Sequence, residues 1–338
     1  MATLETQQLD EIIVKTRRKM LTMGGAALAA LAFGGTTKAE AQAPTTTPDQ
    51  DILNFALNLE YLEAQFYNLA VSGVTIDQLP TPIPVAVNGG TAGTVTVKPS
   101  PKVPFVSSIV AAYAAETATE EGKHVLFLQK ALGSVAVSMP DINLLDSFNA
   151  LANLAGIGTS FDPFASDQNF LIGAYIFEDV GVSAYHGAAP LISDKTGILP
   201  AAVGIHAVEA YHAGLIRTVI SAYDGGVSTG PLSTITQAIS AARSTLANPD
   251  PKNPITTPFT TFAGLTADDQ GVQTTPVSLN GSSTSPTFTA STIGDTDLNA
   301  LGWSRNTTQI LAIVTGNPAT ATAFTGGFFP SGLNGTIS

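Results

Sequence analysis

Two short patterns constrain this chain more than anything else in it: Glu121-Gly122-Lys123-His124 and Glu209-Ala210-Tyr211-His212. On a helix, a carboxylate and an imidazole three residues apart lie on one face, so both can reach one metal ion. The whole sequence holds four histidines, and two of them stand in these pairs. Each pair is embedded in a strongly apolar helical segment, where a carboxylate without a partner is expensive to bury. A bound cation would neutralise it. In a known bundle template, two such helices are joined by two more that each add one carboxylate. Glu60 in Leu59-Glu60-Tyr61 and Glu178 in Phe177-Glu178-Asp179 supply them.

The helices themselves can be read from caps, breakers and periodicity. Thr47-Pro48-Asp49-Gln50 is a helix start, with a Thr cap, Pro in the first turn and Gln three residues after the cap. The helix it opens, 48–71, is apolar nearly all round, which marks a buried helix. Residues 72–104 are rich in Pro, Gly and Thr, and the alternation from Val85 to Val97 about Asn88-Gly89 predicts a small β-hairpin. A second helix runs from about Pro104 to Leu132 and stops at Gly133. A short one lies near 140–155. The third long helix runs from about Ser166 to Ala189, where Pro190 ends it, and the fourth from Pro200 to Tyr223. A fifth, Pro231 to Leu246, follows. Beyond Asn248 the chain turns rich in Pro, Thr, Ser and Gly, with one short helix expected at Thr307–Val314 behind an Asn306/Gln309 capping pair. Phe324, Phe328 and Phe329 predict that this tail packs onto the rest.

Composition closes off several chemistries. The 338 residues contain no cysteine, which removes disulfides, thiolate metal sites and thiol catalysis, and leaves oxygen and imidazole as ligands. A net charge of −12, with no Lys/Arg cluster past the first forty residues, argues against a nucleic-acid partner. No P-loop, dinucleotide-binding turn or nucleophile-elbow serine occurs in workable context. The start of the chain is an address: Thr16-Arg17-Arg18-Lys19 precedes a mildly apolar run, Met23 to Phe33, that is too short to anchor the mature protein in a bilayer. Ala39-Glu40-Ala41 then offers a cleavage site. This resembles a twin-arginine export signal, which implies folded export to the periplasm or beyond the cell; an ordinary Sec signal that happens to contain Arg-Arg is the alternative. The organisation read from the sequence is therefore a signal at 1–41, an all-α bundle at 42–247 and an extension at 248–338 that wraps it.

The order Glu, Glu-x-x-His, Glu, Glu-x-x-His over four long helices resembles the ferritin-like superfamily, whose di-iron and di-manganese members share it. Asn58-Leu59-Glu60, with Tyr67 seven residues on, looks like the first helix of that fold. Glu120-Glu121-Gly122-Lys123-His124 looks like its second, and the connection at 134–165 suits its single long crossover. Leu53 to Glu63, and Gly326-Gly327-Phe328-Phe329-Pro330-Ser331-Gly332, resemble a narrower branch containing desiccation-related proteins of plants and their bacterial relatives. The resemblance covers most of 48–338. It implies two iron ions, or manganese, with Glu60, Glu121 and His124 on one and Glu178, Glu209 and His212 on the other. Glu121 and one of Glu178 or Glu209 would bridge them, with oxygen or peroxide as the reaction partner in oxidative or desiccation stress. A non-enzymatic protectant with a structural or vestigial metal is the alternative. Self-association is left open, and a ferritin-type storage shell is disfavoured by the 33-residue insertion at 72–104 and the long tail.

Several neighbours compete with the chosen residues. Glu63 rivals Glu60, but Tyr67 lies two turns from Glu60 on the same face and favours the latter. Glu116 and Glu120 read as a solvated face. His186 and His206 read as packed helix histidines, with orientation of a ligand carboxylate as the lesser reading. Tyr67, Tyr113 and Tyr175 fall toward one layer by spacing, with core packing their main role and Tyr67 the candidate for a hydrogen bond to a ligand.

Overall fold

The computed structural model describes residues 48–249, 269–273, 293–296 and 301–338. The predicted signal at 1–41 and the Thr47 cap lie outside these residues. Four long helices make the bundle: α1 (Pro48–Ser72), α2 (Ser108–Leu132), α4 (Asp167–Ala188) and α5 (Ile198–Tyr223). A short α3 (Asp146–Leu154) lies in the crossover, α6 (Pro231–Ala247) follows the bundle, and α7 (Thr307–Thr315) lies in the tail. α1 packs along α2, and α4 along α5.

Both pairs are antiparallel, and the contacts that fix this are specific. Val103, just before α2, donates to the Ala70 carbonyl at the end of α1 (2.8 Å). At the other end Asn54 Nδ2 donates to Val135 O (3.0 Å). Two buried aspartates tie the remaining ends together by accepting from backbone N–H groups that no helix satisfies. Asp167 takes those of Val106 (3.0 Å) and Ser107 (2.7 Å), joining the starts of α2 and α4. Asp49 takes those of Ser193 (2.6 Å) and Asp194 (2.9 Å), joining the start of α1 to the α4–α5 turn. The apolar faces then close over one core. Phe66 is its hub, fully buried and stacked on Phe170 at a centroid distance of 5.7 Å, with Phe177 edge-on at 5.1 Å.

The expected hairpin is absent. Asn88-Gly89 does form a turn, closed by Gly90 N to Val87 O at 2.8 Å with both turn residues at positive φ. The strands that should flank it do not pair. β1 (Val95–Thr96) instead pairs in parallel with β2 (Ile142–Asn143) of the crossover, so the insertion is stitched to the connection across the bundle. A turn signal fixes only the turn, and the partner is decided by a strand some fifty residues away.

The described part of the tail lies on the bundle. Asn306 and Gln309 form the reciprocal cap of α7. Phe328 packs edge-on against Phe148 and Phe177 at 5.2 and 5.0 Å. Its backbone N–H reaches Val314 O at 2.9 Å, and the preceding Gly327, at φ +50, must be glycine because a Cβ would stand 2.7 Å from that same carbonyl. Asn334 exchanges two hydrogen bonds with the side chain of Asn58 in α1 (2.8 and 2.9 Å).

A buried ionic network fastens the far side. Asp179 of α4 meets Arg217 of α5 (2.8 Å) and Arg243 of α6 (3.1 Å), while Asp269 meets Arg243 (2.7 Å) and Arg305 (2.9 Å). All five side chains are fully buried. Tyr175 joins this network, with Arg243 Nη2 donating to its hydroxyl at 2.9 Å, so it does not face the layer its spacing suggested. Removing one member strands its partners in a medium that cannot solvate them. Asp269→Ala is expected to lower the unfolding free energy by about 3–5 kcal/mol, because Arg243 and Arg305 lose their shared carboxylate. Urea denaturation followed by circular dichroism measures this.

Candidate metal centre

Each of the six residues singled out by the sequence comes from the middle of its helix and is buried. Their side chains converge. His124 Nδ1 lies 3.1 Å from Glu60 Oε2, 3.3 Å from Glu121 Oε2 and 3.6 Å from Glu209 Oε1. His212 Nδ1 lies 3.0 Å from Glu121 Oε1 and 3.3 Å from Glu178 Oε2. Two groups able to hold a cation result, one of Glu60, Glu121, His124 and Glu209, the other of Glu121, Glu178 and His212. Glu121 belongs to both, one oxygen toward each imidazole. The partition differs from the sequence reading in one respect: Glu209 stands with Glu60 and His124 rather than with Glu178 and His212. Spacing along a helix gives the face a residue occupies, but not which neighbouring helix its carboxylate leans toward.

Around these six sits a ring that the sequence reading assigns only in part. Tyr67 donates to Glu178 Oε1, as its position two turns from Glu60 suggested. Tyr185 donates in the same way to Glu60 Oε1, a role the sequence reading does not give it. The signal is there, since Tyr185 follows Glu178 by seven residues just as Tyr67 follows Glu60. Glu120, expected on a solvated face, accepts from His212 Nε2 at 2.8 Å. That bond leaves Nδ1 as the ring nitrogen facing the carboxylates and sets the ring plane. Glu63 is buried as well, a fifth carboxylate beside the four, and its charge is felt by Glu209. Gly181 of α4 makes room for this crowding: a Cβ there would collide with Glu209 Oε2 and stand 3.4 Å from Glu63 Oε1. His186 and His206 face each other at 5.8 Å instead, and His186 Nδ1 contacts the Trp303 carbonyl of the tail at 3.1 Å. Tyr113 is buried in α2, and Glu116 is half-buried one turn before Glu120.

The electrostatics follow from burial and crowding. Burial pushes Glu60 up to about 7, with His124 pulling the other way. Burial, then the other carboxylates, raise Glu63 and Glu209 well above the usual range. Glu121 runs against burial: the His124 and His212 charges hold it below the usual carboxylate range. Both imidazoles are raised well above theirs, the surrounding carboxylates outweighing the effect of burial. Burial and the carboxylates they touch raise the Tyr67 and Tyr185 hydroxyls, which therefore stay protonated as donors.

The donor set fits a pair of divalent cations. Glu121 Oε1, Glu178 Oε2, both Glu209 oxygens and His212 Nδ1 are buried and, among the described residues, find no hydrogen-bond partner outside the cluster. Polar atoms in that condition cost stability unless something polar meets them. These point at one another across the centre of the bundle, at distances a shared cation spans. Oxygen and imidazole donors suit iron, manganese or zinc.

Comparison with known proteins agrees with this architecture. A family model described as a ferritin-like domain matches residues 48–222, just over half of the chain. The desiccation-related protein PCC13-62 of Craterostigma plantagineum is 30% identical over 174 residues, covering 51% of this chain and 53% of that protein. The chain thus aligns with about half the length of that relative. No solved structure is a significant match. Among the described residues, no helix is long and apolar enough to cross a membrane.

The raised carboxylates give a sign for pH. Glu60 rises from 4.5 to about 7 on folding, so its contribution is full below pH 4.5 and is lost as pH rises through 7. Glu63 and Glu209 act in the same direction. Chelator-treated protein should therefore melt at a lower temperature at pH 8 than at pH 5.5, with the gap narrowed in Glu60→Gln. Scanning calorimetry at the two pH values tests it.

Proposed function

Because the chain belongs to the ferritin-like family, we propose that its buried cluster holds two divalent iron or manganese ions and that the loaded protein reduces oxygen or peroxide. The observation that carries this reading is a set of five buried atoms that, among the described residues, find no hydrogen-bond partner outside the cluster: His212 Nδ1 meets Glu121 Oε1 and Glu178 Oε2 at 3.0 and 3.3 Å, Glu209 Oε1 meets His124 at 3.6 Å, and Glu209 Oε2 makes no hydrogen bond. Glu60, Glu121, His124 and Glu209 would hold one ion, and Glu121, Glu178 and His212 the other, with Glu121 shared. When bound, the metals supply the electrons for reduction of oxygen or peroxide.

The chain's own residues do the rest. Tyr185 and Tyr67 hold Glu60 and Glu178 by one oxygen each, which leaves the second oxygen of each carboxylate directed at an imidazole. Glu120 fixes the orientation of His212. The apolar walls around the cluster limit water, so opposing charges inside attract strongly and unpaired ones are not tolerated. Protons on Glu60, Glu63, Glu209 and the two imidazoles would leave as cations arrive, so metal binding should tighten as pH rises. Folded export through the twin-arginine route, to the periplasm or beyond the cell, belongs to the same proposal, since it lets a metal centre assemble before transit.

A second reading is a non-enzymatic protectant in which metal serves only the fold, favoured by the name of the matched relative, a desiccation-related protein. Elemental analysis of protein purified from its exporting host separates the two. The enzyme reading expects about two iron or manganese atoms per chain. It also expects Glu121→Ala to lose both metals together with hydrogen-peroxide and oxygen turnover. Zinc alone, or no metal, in protein that remains folded would leave the protectant reading.

A further inference from the structure

A second feature of the bundle lies end-on to the cluster. A cavity of about 200 Å³ opens between α1, α2, α4 and α5. Leu53, Leu128, Ala202 and Ile205 form its buried walls, and half-exposed Phe127 stands at its rim. Tyr185 is the one residue lining it that has a polar side-chain atom, and that hydroxyl is the donor to Glu60.

The sequence positions explain why the cavity abuts the cluster. Leu53 precedes Glu60 by seven residues, Leu128 follows Glu121 by seven, Tyr185 follows Glu178 by seven, and Ala202 precedes Glu209 by seven. Two turns keep a residue on the same helix face. The cavity is therefore the next layer of the bundle interior along the axis, bounded by the same four faces that carry the carboxylates. Interiors of this kind are normally filled. Here Ala202, together with the neighbouring Ala201 and Gly197, leaves space that larger side chains on α5 would occupy.

We propose that this cavity binds a compact apolar organic molecule of about the size of benzene, which sits against the Tyr185 ring one layer from the carboxylates. The walls dictate the class. They offer no charge and no hydrogen-bonding group beyond a hydroxyl already engaged with Glu60, so a polar ligand would lose its hydration without replacement. An enclosed apolar cavity of about 150 Å³ is known to stay dry and accept benzene; this one is somewhat larger and opens to the surface beside Phe127, Ala131 and Gly197, which gives a ligand its entry. As the approach of a substrate to the cluster, the cavity rests on the metal reading above. As a binding site it does not, because every contact is made by side chains that hold no metal.

Benzene is the probe. Calorimetric titration of the full-length protein, metal-free and metal-loaded, should show one saturable site in both forms. Ala202→Leu and Ala201→Leu place carbon inside the cavity, and each should weaken benzene binding by about tenfold or more while the melting temperature holds or rises. Two variants are used so that one misfolded protein does not leave the question open. Absence of saturable binding in the wild type, or undiminished affinity in a folded filled variant, would overturn the proposal. Benzene binding by a protein that takes up no metal would sink the metal reading and leave this one standing, and the reverse result would do the opposite.

Discussion

Five carboxylates packed around two imidazoles in the middle of an apolar bundle are the interaction to which the rest of the fold is adapted. Such a group cannot be assembled cheaply, since each buried negative charge must be met by a positive one or by a proton. The chain meets part of the demand itself. The carboxylates raise the proton affinity of His124 and His212 against the pull of burial, two tyrosine hydroxyls donate to two of the carboxylates, and burial with mutual repulsion raises the affinity of other carboxyls for a proton. The remainder falls on carboxylate oxygens, both of Glu209 among them, that find no hydrogen-bond donor outside the cluster among the described residues.

Holding that arrangement requires four helices whose facing positions do not shift, and the surrounding structure supplies the rigidity. Asp49 and Asp167 pin helix ends to one another through backbone N–H groups. The Phe66 cluster fills the layer beside the carboxylates, and Gly181 lets α4 come close enough for Glu209 and Glu63 to fit. On the outside of α4, Asp179 directly follows Glu178 in sequence but turns away into the Arg217–Arg243 network. Adjacent residues on one helix thus serve two separate charge systems, one facing the bundle axis and the other holding α6 and the tail. The tail reaches back to Asn58, two residues from Glu60. Packing far along the sequence is therefore felt at the centre.

Much of this is legible in the sequence, for a physical reason. Helix faces are set by a fixed period, so Glu60, Glu121, His124, Glu178, Glu209 and His212 can be placed on inward faces from spacing alone, and caps such as Asn306 with Gln309 are local. What escapes depends on contacts between segments distant in sequence. Val95 cannot be paired with Ile142 from the turn at Asn88-Gly89. Glu120 looks like any polar residue on a helix surface until His212, ninety-two residues later, is brought against it. Asp179, Arg217, Arg243, Asp269 and Arg305 show no motif at all. Tyr175 and Tyr185, ten residues apart on α4, have opposite fates, one among the arginines and one at Glu60, and the period that separates their faces does not say what each face meets. Tyr185 is recoverable, because its seven-residue offset from Glu178 repeats that of Tyr67 from Glu60.

The central claim is that these side chains form a centre for two metal ions sharing Glu121. Crystals grown with manganese, measured where manganese scatters anomalously, address it directly. The account predicts two anomalous peaks about 3.5–4 Å apart, one beside Glu60 and His124, the other beside Glu178 and His212, with Glu121 between them. A single peak, a pair bound elsewhere on the chain, or an anomalous map without peaks among these residues would contradict it.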